Sequence, residues 1–184
     1  MRLFVATELS EPLFEALCET SCSLRDCVRG RFVAPDSFHV TLAFLGEVPQ
    51  AQVVLAQEAL DEACELQPPI EVALGALGSF GRPRKSTLWQ GFARGVDELG
   101  GLTGDVREAL LTRGLTYDSA AFVPHVTLMR AADVTSGLLP MPTVAKGSID
   151  TVTLFRSDLS GERPRYEPLH RVRLQPLDPE EEQR

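Results

Sequence analysis

The sequence predicts a mixed fold of the α+β or α/β class, and three observations lead to it. Segments with strand alternation and segments with helical periodicity follow one another as strand, helix, strand, helix, strands, helix, strands. A length of 184 residues suits one domain, or two small lobes that share a core. The tetrapeptide His-Val-Thr-Leu occurs at 39–42 and again at 125–128, once in each half of this order. The chain therefore has a weakly repeated internal plan.

The first elements are a strand, a helix and a second strand. The short apolar run at 3–9 is typical of a buried strand. A helix is predicted over 10–28, because a serine suits its cap, a proline suits its first turn and a glycine ends it. Apolar and polar residues then alternate over 38–44, which indicates a strand with His39 and Thr41 on one face.

A second helix and a hairpin follow. The residues at 50–66 are rich in alanine, leucine and glutamate. The apolar stripe predicted for this helix consists of Val54, Leu55, Ala59, Ala63 and Leu66. Strands are predicted at 70–80 and 86–92, and the basic sequence at 81–85 is expected to form a wide, positively charged hairpin tip.

The last elements are a helix and three strands. An amphipathic helix is predicted over 96–113, interrupted by the glycines at 100–101. A strand at 120–130 carries the second tetrapeptide. Two closing strands are expected within 147–159 and 164–177, around a turn.

Charge and hydropathy exclude some classes of function. The formal net charge is −8 and the isoelectric point is about 4.9, which argues against broad, non-specific binding of duplex nucleic acid and leaves room for a local basic site. No run of about 18 apolar residues predicts a membrane span, and the first residues indicate a strand instead of a signal peptide. We expect a cytoplasmic monomer with one domain over 1–175 and a disordered acidic tail over 176–184.

The four cysteines do not have the spacing of a metal site. Cys18, Cys22 and Cys27 are expected in the first helix, and Cys64 lies in the second. Zinc sites normally contain recurring pairs of close cysteines or histidines, and no histidine is near this group. We expect buried thiols in a reducing compartment, and neither a metal nor a cofactor.

The repeated tetrapeptide carries the chemistry. His and Thr at alternate positions of a strand project side by side. An imidazole transfers protons near neutral pH, and a hydroxyl donates a hydrogen bond to a phosphate oxygen. Two such pairs facing one another would supply an acid, a base and two phosphate-binding hydroxyls, as cleavage of a phosphodiester requires. Lone strand histidines are usually structural, but a repeated His-x-Thr is harder to explain in that way.

The chain resembles the 2H phosphoesterase superfamily, which is named for two H-x-[ST]-x motifs. Within it, the sequence is similar to the RNA 2′,3′-cyclic phosphodiesterases, also called 2′-5′ RNA ligase-like proteins. The similar stretches occur in the family's order over about residues 1–175: "MRLFVATEL", "FVAPDSFHVTLAFLGEV", "LGALGSFGRPRKSTLWQGF", "FVPHVTLMR" and "LFRSDLSGERPRYEPLHRVRL". The resemblance implies an α+β, bilobal fold with two pseudo-symmetric antiparallel sheets around a central groove and helices packed outside.

The resemblance also implies roles for residues. His39 would donate a proton to the leaving 3′ oxygen, and His125 would accept one from water, so that a 2′,3′-cyclic phosphate opens to a 2′-phosphomonoester without a metal. Thr41, Thr127 and Arg130 would bind the phosphate. Strand parity alone places Arg130 on the face opposite His125 unless the chain bends. The sequence does not say which histidine is the acid, since a shared site titrates as a pair.

Further side chains are candidates for contact with RNA. The candidates are the basic residues Arg82, Arg84 and Lys85 and the aromatic residues Phe44, Phe80, Trp89 and Tyr166. Each also has an ordinary explanation, as a solvated hairpin tip or as part of the core.

Two other positions help to test the resemblance. His170 lies outside any H-x-[ST]-x pattern, so we expect it to be dispensable. Arg156-Ser157 stands where family members often have an acidic residue before the serine, which would change the electrostatics near the groove.

Other functions remain open at the level of sequence. The same pair of histidines could act on a small cyclic nucleotide or on a cyclic phosphate of ADP-ribose. The protein could instead bind RNA ends with little turnover, or join RNA halves through a 2′-5′ bond by the reverse reaction.

Overall fold

The computed structural model describes residues 1–161 and 163–175, and within them three helices and nine strands are present. The helices are α1 (Glu11–Arg25), α2 (Val53–Cys64) and α3 (Val96–Thr112). The strands are β1 (Arg2–Thr7), β2 (Arg29–Phe32), β3 (Val40–Glu47), β4 (Ile70–Arg82), β5 (Lys85–Arg94), β6 (His125–Asp133), β7 (Lys146–Ile149), β8 (Thr151–Asp158) and β9 (Arg165–Arg173). The predicted acidic tail at 176–184 lies outside the described residues.

The described strands form one antiparallel sheet in the order β7-β4-β5-β6-β3-β1-β8-β9, and β2 pairs with β6 beside this path. The α+β class is therefore confirmed. The two expected sheets are continuous with one another, because β3 and β6 join them through a single residue pair, Val40 with Val126. Each half of the sheet places one His-Val-Thr-Leu strand at this junction.

The helices cover the side of the sheet that carries the core. α1 packs against β7, α2 against β8 and β9, and α3 against β3 and β4, while α2 and α3 also pack on each other. Fully buried leucines dominate the interior. Burying one such side chain stabilises the fold by roughly 1.5–3 kcal/mol.

The predicted apolar stripe of α2 is wrong at its ends. Val54 and Leu66 are 49% and 66% exposed. The residues that α2 buries are Val53, Ala56, Ala59, Leu60, Ala63 and Cys64. The helix begins only at Val53, after a short 3-10 turn, and its packing on β8, β9 and α3 buries a face that is rotated by about one residue from the predicted stripe.

Several predicted boundaries also differ. α1 ends at Arg25, and the residues around Gly30 form the unpredicted strand β2 instead of a helix end. α3 runs unbroken through the glycines at 100–101, because its buried leucines and valine hold it against the sheet and override the weak helix propensity of glycine. The hairpin tip is narrow, with only residues 83–84 between β4 and β5. The first closing segment splits into β7 and β8, which pair with different strands.

The expectation of buried thiols is correct only in part. Cys64 is buried, which raises its pKa to about 12, and Cys18 is partly buried. Cys22 and Cys27 are exposed, and Cys27 lies beyond the end of α1. Among the described residues, all four are free thiols and no three His, Cys, Asp or Glu side chains cluster as metal ligands would.

None of the helices in the described part of the chain is both long enough and apolar enough to cross a membrane.

Candidate active site

The two histidine motifs meet at the junction of β3 and β6. Val40 pairs with Val126, and both valines are fully buried on the core side. Their neighbours in sequence point to the opposite face of the sheet. The antiparallel register sets His39 opposite Thr127 and Thr41 opposite His125. The pair thus relates the two motifs by a local two-fold arrangement.

A β-bulge follows each motif. Leu42 and Ala43 are both buried in β3, and Leu128 and Met129 are both buried in β6, although strict alternation would expose one of each pair. Consecutive residues of the partner strands β1 and β5 pair there with residues that are two apart in β3 and β6, so Leu42 and Leu128 are the extra residues. An extra residue shifts the following side chains to the other face of a strand.

The bulges decide which side chains join the motifs. Phe44 returns to the face of Thr41, and Arg130 returns to the face of Thr127. The parity problem predicted for Arg130 is therefore resolved by the bend of β6. Phe44 and Arg130 occupy equivalent positions, each five residues after its histidine.

Both imidazoles are oriented by the same local hydrogen bond. Nδ1 of His39 lies 2.8 Å from the carbonyl oxygen of Ser37, and Nδ1 of His125 lies 2.6 Å from that of Val123. A carbonyl oxygen can only accept, so Nδ1–H donates in each case. In the neutral rings, Nε2 is therefore the atom with a free lone pair that can take up or deliver a proton.

Two aromatic rings contact each histidine. The ring centroids of Phe4 and Tyr166 lie 5.0 and 5.4 Å from that of His39. Those of Phe80 and Trp89 lie 5.1 and 5.6 Å from that of His125. These rings restrict the imidazoles and lower the local polarity.

Burial and a shared cation weaken both histidines as bases. The pKa of His39 is lowered from 6.5 to about 4, mainly by desolvation and also by the charges of Arg130 and His125, against the opposing effect of the hydrogen bond to Ser37. Desolvation and Arg130 also lower the pKa of His125. The charge of Arg130 therefore disfavours the protonated form of both imidazoles.

A cavity of about 250 Å³ opens beside His39 and Thr41, and we call it the groove. Its lining includes the predicted residues His39, Thr41, Phe44, Arg130 and Tyr166, whereas the predicted residues His125 and Thr127 lie beside it and are not part of the lining. It also includes Ser157, which sequence analysis placed near the groove, and residues that sequence analysis missed, namely Arg2, Phe4, Leu159 and Pro164. Arg2 and Phe4 alternate along β1, but only the pairing of β1 with β3 and β8 brings them to the motifs.

The remaining predicted contacts lie around the groove. The Trp89 ring contacts His125, and Phe80, 40% exposed, contacts both of them. Arg82, Arg84 and Lys85 are exposed at the hairpin tip and do not line the groove itself. The hairpin tip is connected to the groove only through β6. Ser86, next to Lys85, pairs with Ala132, which follows Arg130 on β6.

The two positions that test the resemblance, His170 and Arg156, do not line the groove. His170 on β9 approaches Asp61 on α2, with 2.7 Å between Nε2 and Oδ1, and does not line the groove. Arg156 pairs with Glu167 at 3.6 Å, whereas the neighbouring Ser157 lines the groove. The unusual arginine is thus balanced by a carboxylate on the adjacent strand.

A larger cavity of about 350 Å³ lies between α3 and the start of β4. It contains neither motif, and Glu71, Glu98 and Asp105 line it together with Arg94. This acidic lining repels a phosphate, so the smaller groove is the better candidate for an anionic ligand.

Comparisons with known proteins agree with this geometry. Residues 10–89 match the model of the LigT-like phosphoesterase family. An RNA 2′,3′-cyclic phosphodiesterase from Escherichia coli is 31% identical over 173 residues, which cover 94% of this chain and 96% of that protein. The chain belongs to the LigT-like phosphoesterase family. Its strands, with an H-x-T-x motif in each half, are those of a 2H phosphoesterase.

Two further relatives define the extent of the similarity. A crystal structure of Escherichia coli LigT with 3′-AMP superposes with a TM-score of 0.77 at 29% identity, covering 94% of this chain and 97% of that one. An RNA 2′,3′-cyclic phosphodiesterase from Geobacillus stearothermophilus is 30% identical over 172 residues, 89% of this chain. The chain spans only about half, 54%, of the length of that relative.

Proposed function

We propose that this protein hydrolyses the 2′,3′-cyclic phosphate at the end of an RNA to a 2′-phosphomonoester. The observation that carries the proposal is the Val40–Val126 pair, since it sets two His-x-Thr strands side by side with their polar side chains on one face of the sheet, beside the groove that His39, Thr41 and Arg130 line. Family relatives named as RNA 2′,3′-cyclic phosphodiesterases support the same substrate.

The two imidazoles divide the proton transfers. Nε2 of His125 accepts a proton from water as the water oxygen bonds to phosphorus. Nε2 of His39 delivers a proton to the 3′ oxygen as the bond from phosphorus to that oxygen breaks. Each histidine ends in the protonation state in which the other began, so a proton exchange through solvent resets the site.

The lowered pKa values fit this division. In the empty protein at neutral pH, the low pKa of His39 leaves it unprotonated, so binding must supply its proton. A cyclic phosphate carries one negative charge, and an anion beside an imidazole raises its pKa. The substrate therefore promotes the protonation that its own cleavage requires, and the two histidines titrate as a pair.

The hydroxyls and the guanidinium bind the phosphate. Thr41 and Thr127 lie diagonally across the junction and donate to the non-bridging oxygens. Arg130 supplies a positive charge and paired donors that match phosphate geometry. These groups stabilise the charge that develops on phosphorus-bound oxygens, so we expect catalysis that does not depend on a divalent metal.

The RNA beyond its terminal nucleotide meets the groove rim. Phe44 and Trp89 offer faces for a base, and Arg82, Arg84 and Lys85 offer charges for the backbone. A small cyclic nucleotide would use the groove but not the hairpin tip, so a gain in kcat/KM with added nucleotides distinguishes an RNA enzyme from a mononucleotide enzyme.

The same groups can also join two RNA ends. If the 5′-hydroxyl of a second RNA takes the place of water, its oxygen bonds to phosphorus while the bond from phosphorus to the 3′ oxygen breaks, and a 2′-5′ phosphodiester forms. Nε2 of His125 then takes the proton of the 5′-hydroxyl and Nε2 of His39 protonates the 3′ oxygen, as in hydrolysis. Incubating two RNA halves, one with a cyclic phosphate and one with a 5′-hydroxyl, and looking for a 2′-5′ linkage tests this activity.

An oligonucleotide with a 2′,3′-cyclic phosphate end, incubated with the protein and EDTA, tests the main proposal. We expect a 2′-phosphate product, and we expect His39→Ala and His125→Ala each to lower kcat by about 10²–10⁴-fold, the usual contribution of acid–base catalysis. A 3′-phosphate product would reverse the assignment of the leaving oxygen.

His170→Ala is the matched control because it removes an imidazole that belongs to neither motif and lies beside Asp61 on α2. Its kcat should equal that of the unchanged protein. If all three alanine variants hydrolysed the cyclic end equally well, the two-histidine mechanism would be wrong.

A further inference from the structure

Strand β2 carries a cation that sequence analysis did not connect with the site. β2 and β3 lie along the same edge of β6. β3 pairs with β6 only at Val126, and β2 pairs with the later residues 129–133. In this ladder Arg31 lies directly opposite Arg130. Paired residues of antiparallel strands project to the same face, so Arg31 shares the face of Arg130 and the groove.

The Arg31–Arg130 pair lacks a compensating charge. Among the described residues, neither guanidinium has a carboxylate oxygen within 4 Å. Like charges directly opposite one another destabilise a sheet. In a chain with a net charge of −8, two adjacent exposed guanidinium groups without carboxylates form a local site for an anion.

The cations continue beyond this pair toward the hairpin tip. Arg29 pairs with Asp133 at the end of β6. Hydrogen bonds from Thr135 lower the pKa of Asp133, and the charges of Arg84 and Arg29 lower it further, which places both arginines near this carboxylate. Arg29 therefore has a carboxylate opposite it in the ladder, although no ion pair within 4 Å forms, whereas Arg31 has another arginine opposite it. Arg31 is the available cation nearest to Arg130 along β2.

We propose that Arg31 binds the phosphodiester group that precedes the terminal nucleotide, so that the RNA chain leaves the groove along β2. This inference rests on the proposed function and adds the path of the substrate to it. Arg130 holds the cyclic phosphate, and Arg31, next to it on the same face, meets the next phosphate of a single strand. A mononucleotide has no such phosphate.

Two substrates that differ by one phosphodiester test the inference. One is a nucleoside 2′,3′-cyclic phosphate, and the other is a dinucleotide with the same cyclic end. Arg31→Gln should lower the ratio of the dinucleotide kcat/KM to the mononucleotide kcat/KM by about tenfold, mainly through the KM of the dinucleotide, as expected for one lost charge-assisted phosphate contact. Arg31→Lys should restore part of the ratio, since it keeps the charge but not the planar fork.

Arg94→Gln is the matched control because it removes one exposed arginine at the far end of β5, beside the acidic cavity. It should leave the ratio unchanged. An equal fall with both substrates in Arg31→Gln would mean that Arg31 acts on the reacting phosphate, and no fall would mean that it contacts no RNA; either result overturns the inference.

A binding measurement separates this inference from the proposed function. A fluorescent oligonucleotide with a 2′-phosphate end is titrated with protein at several salt concentrations. Arg31→Gln should weaken binding and reduce the slope of log K against log salt by about 0.7 for one contact to a single strand. If the protein hydrolysed neither substrate, the proposed function would fail, and this titration would still decide whether Arg31 binds the RNA backbone.

Discussion

At the scale of single residues, the two histidines differ from exposed histidines in orientation and in charge environment. Nδ1–H of each ring donates to the carbonyl two residues earlier, so the protein fixes the tautomer before any substrate arrives. Arg130 sits within electrostatic reach of both rings. A single guanidinium therefore disfavours the protonation of both imidazoles.

Replacing Arg130 tests this effect directly. In Arg130→Gln the pKa values of His39 and His125 should both rise, because the positive charge that opposes their protonation is gone. Both should stay below 6.5, since desolvation is the larger cause of each shift. NMR titration of the imidazole signals measures the two values.

The remote Arg94→Gln variant is the control for the loss of one charge, and it should leave both titrations in place. If the pKa of only one histidine rose in Arg130→Gln, the charge of Arg130 would not act on both rings.

At the scale of elements, strict alternation of buried and exposed residues does not predict the bulges that follow the two motifs. Alternation correctly placed His39 with Thr41 and buried Val40 and Leu42. It failed at Phe44 and Arg130, because a bulge depends on the register with β1 and β5 and leaves little trace in the sequence.

Other elements escaped sequence analysis for a related reason. β2 has four residues and no apolar alternation, so only its pairing with β6 makes it a strand. α3 keeps two adjacent glycines because tertiary packing of one face outweighs their propensity. Long-range pairing decided both cases, and it also brought Arg2 and Phe4 to the groove and Arg31 opposite Arg130.

The hairpin of β4 and β5 places the indole that contacts His125. Gly78 pairs with Trp89, and a Cβ atom at residue 78 would overlap the indole ring. Gly78→Ala should therefore displace Trp89, destabilise the protein by about 1–3 kcal/mol as overpacking does, and lower kcat/KM. Trp89 is the single tryptophan, so a shift of the intrinsic fluorescence maximum reports its displacement.

Gly104→Ala provides the comparison within α3, where an added Cβ meets no atom within 4 Å. It should leave the fluorescence unchanged and stabilise the protein by up to about 1 kcal/mol, because alanine favours the helix. An unchanged emission maximum in Gly78→Ala would mean that the indole does not depend on the space above Gly78.

At the scale of the whole molecule, the two histidine motifs lie where the two halves of the sheet meet through one residue pair. The repeated tetrapeptide predicted that the halves share a plan, and the family resemblance predicted a groove between them. Neither could supply the strand order, since antiparallel neighbours separated by about 85 residues are set by the packing of the complete chain. The junction also forces two titratable rings into partly desolvated positions, which links the site to global stability.

This link predicts a loss of stability in acid. Because the pKa values of His39 and His125 are lowered by folding, the unfolded chain binds more protons than the folded protein below pH 6.5. The free energy of unfolding should therefore be fully retained above pH 6.5 and fall as the pH drops from 6.5 toward 4, by on the order of 3 kcal/mol for His39. Urea unfolding followed across this range, for the unchanged protein and for the His39→Gln, His125→Gln double variant, measures the effect. The double variant should lose less stability between pH 6.5 and 4, because it has no imidazole to protonate at the junction. If the free energy of unfolding fell equally with pH in the two proteins, groups other than His39 and His125 would cause the loss of stability in acid.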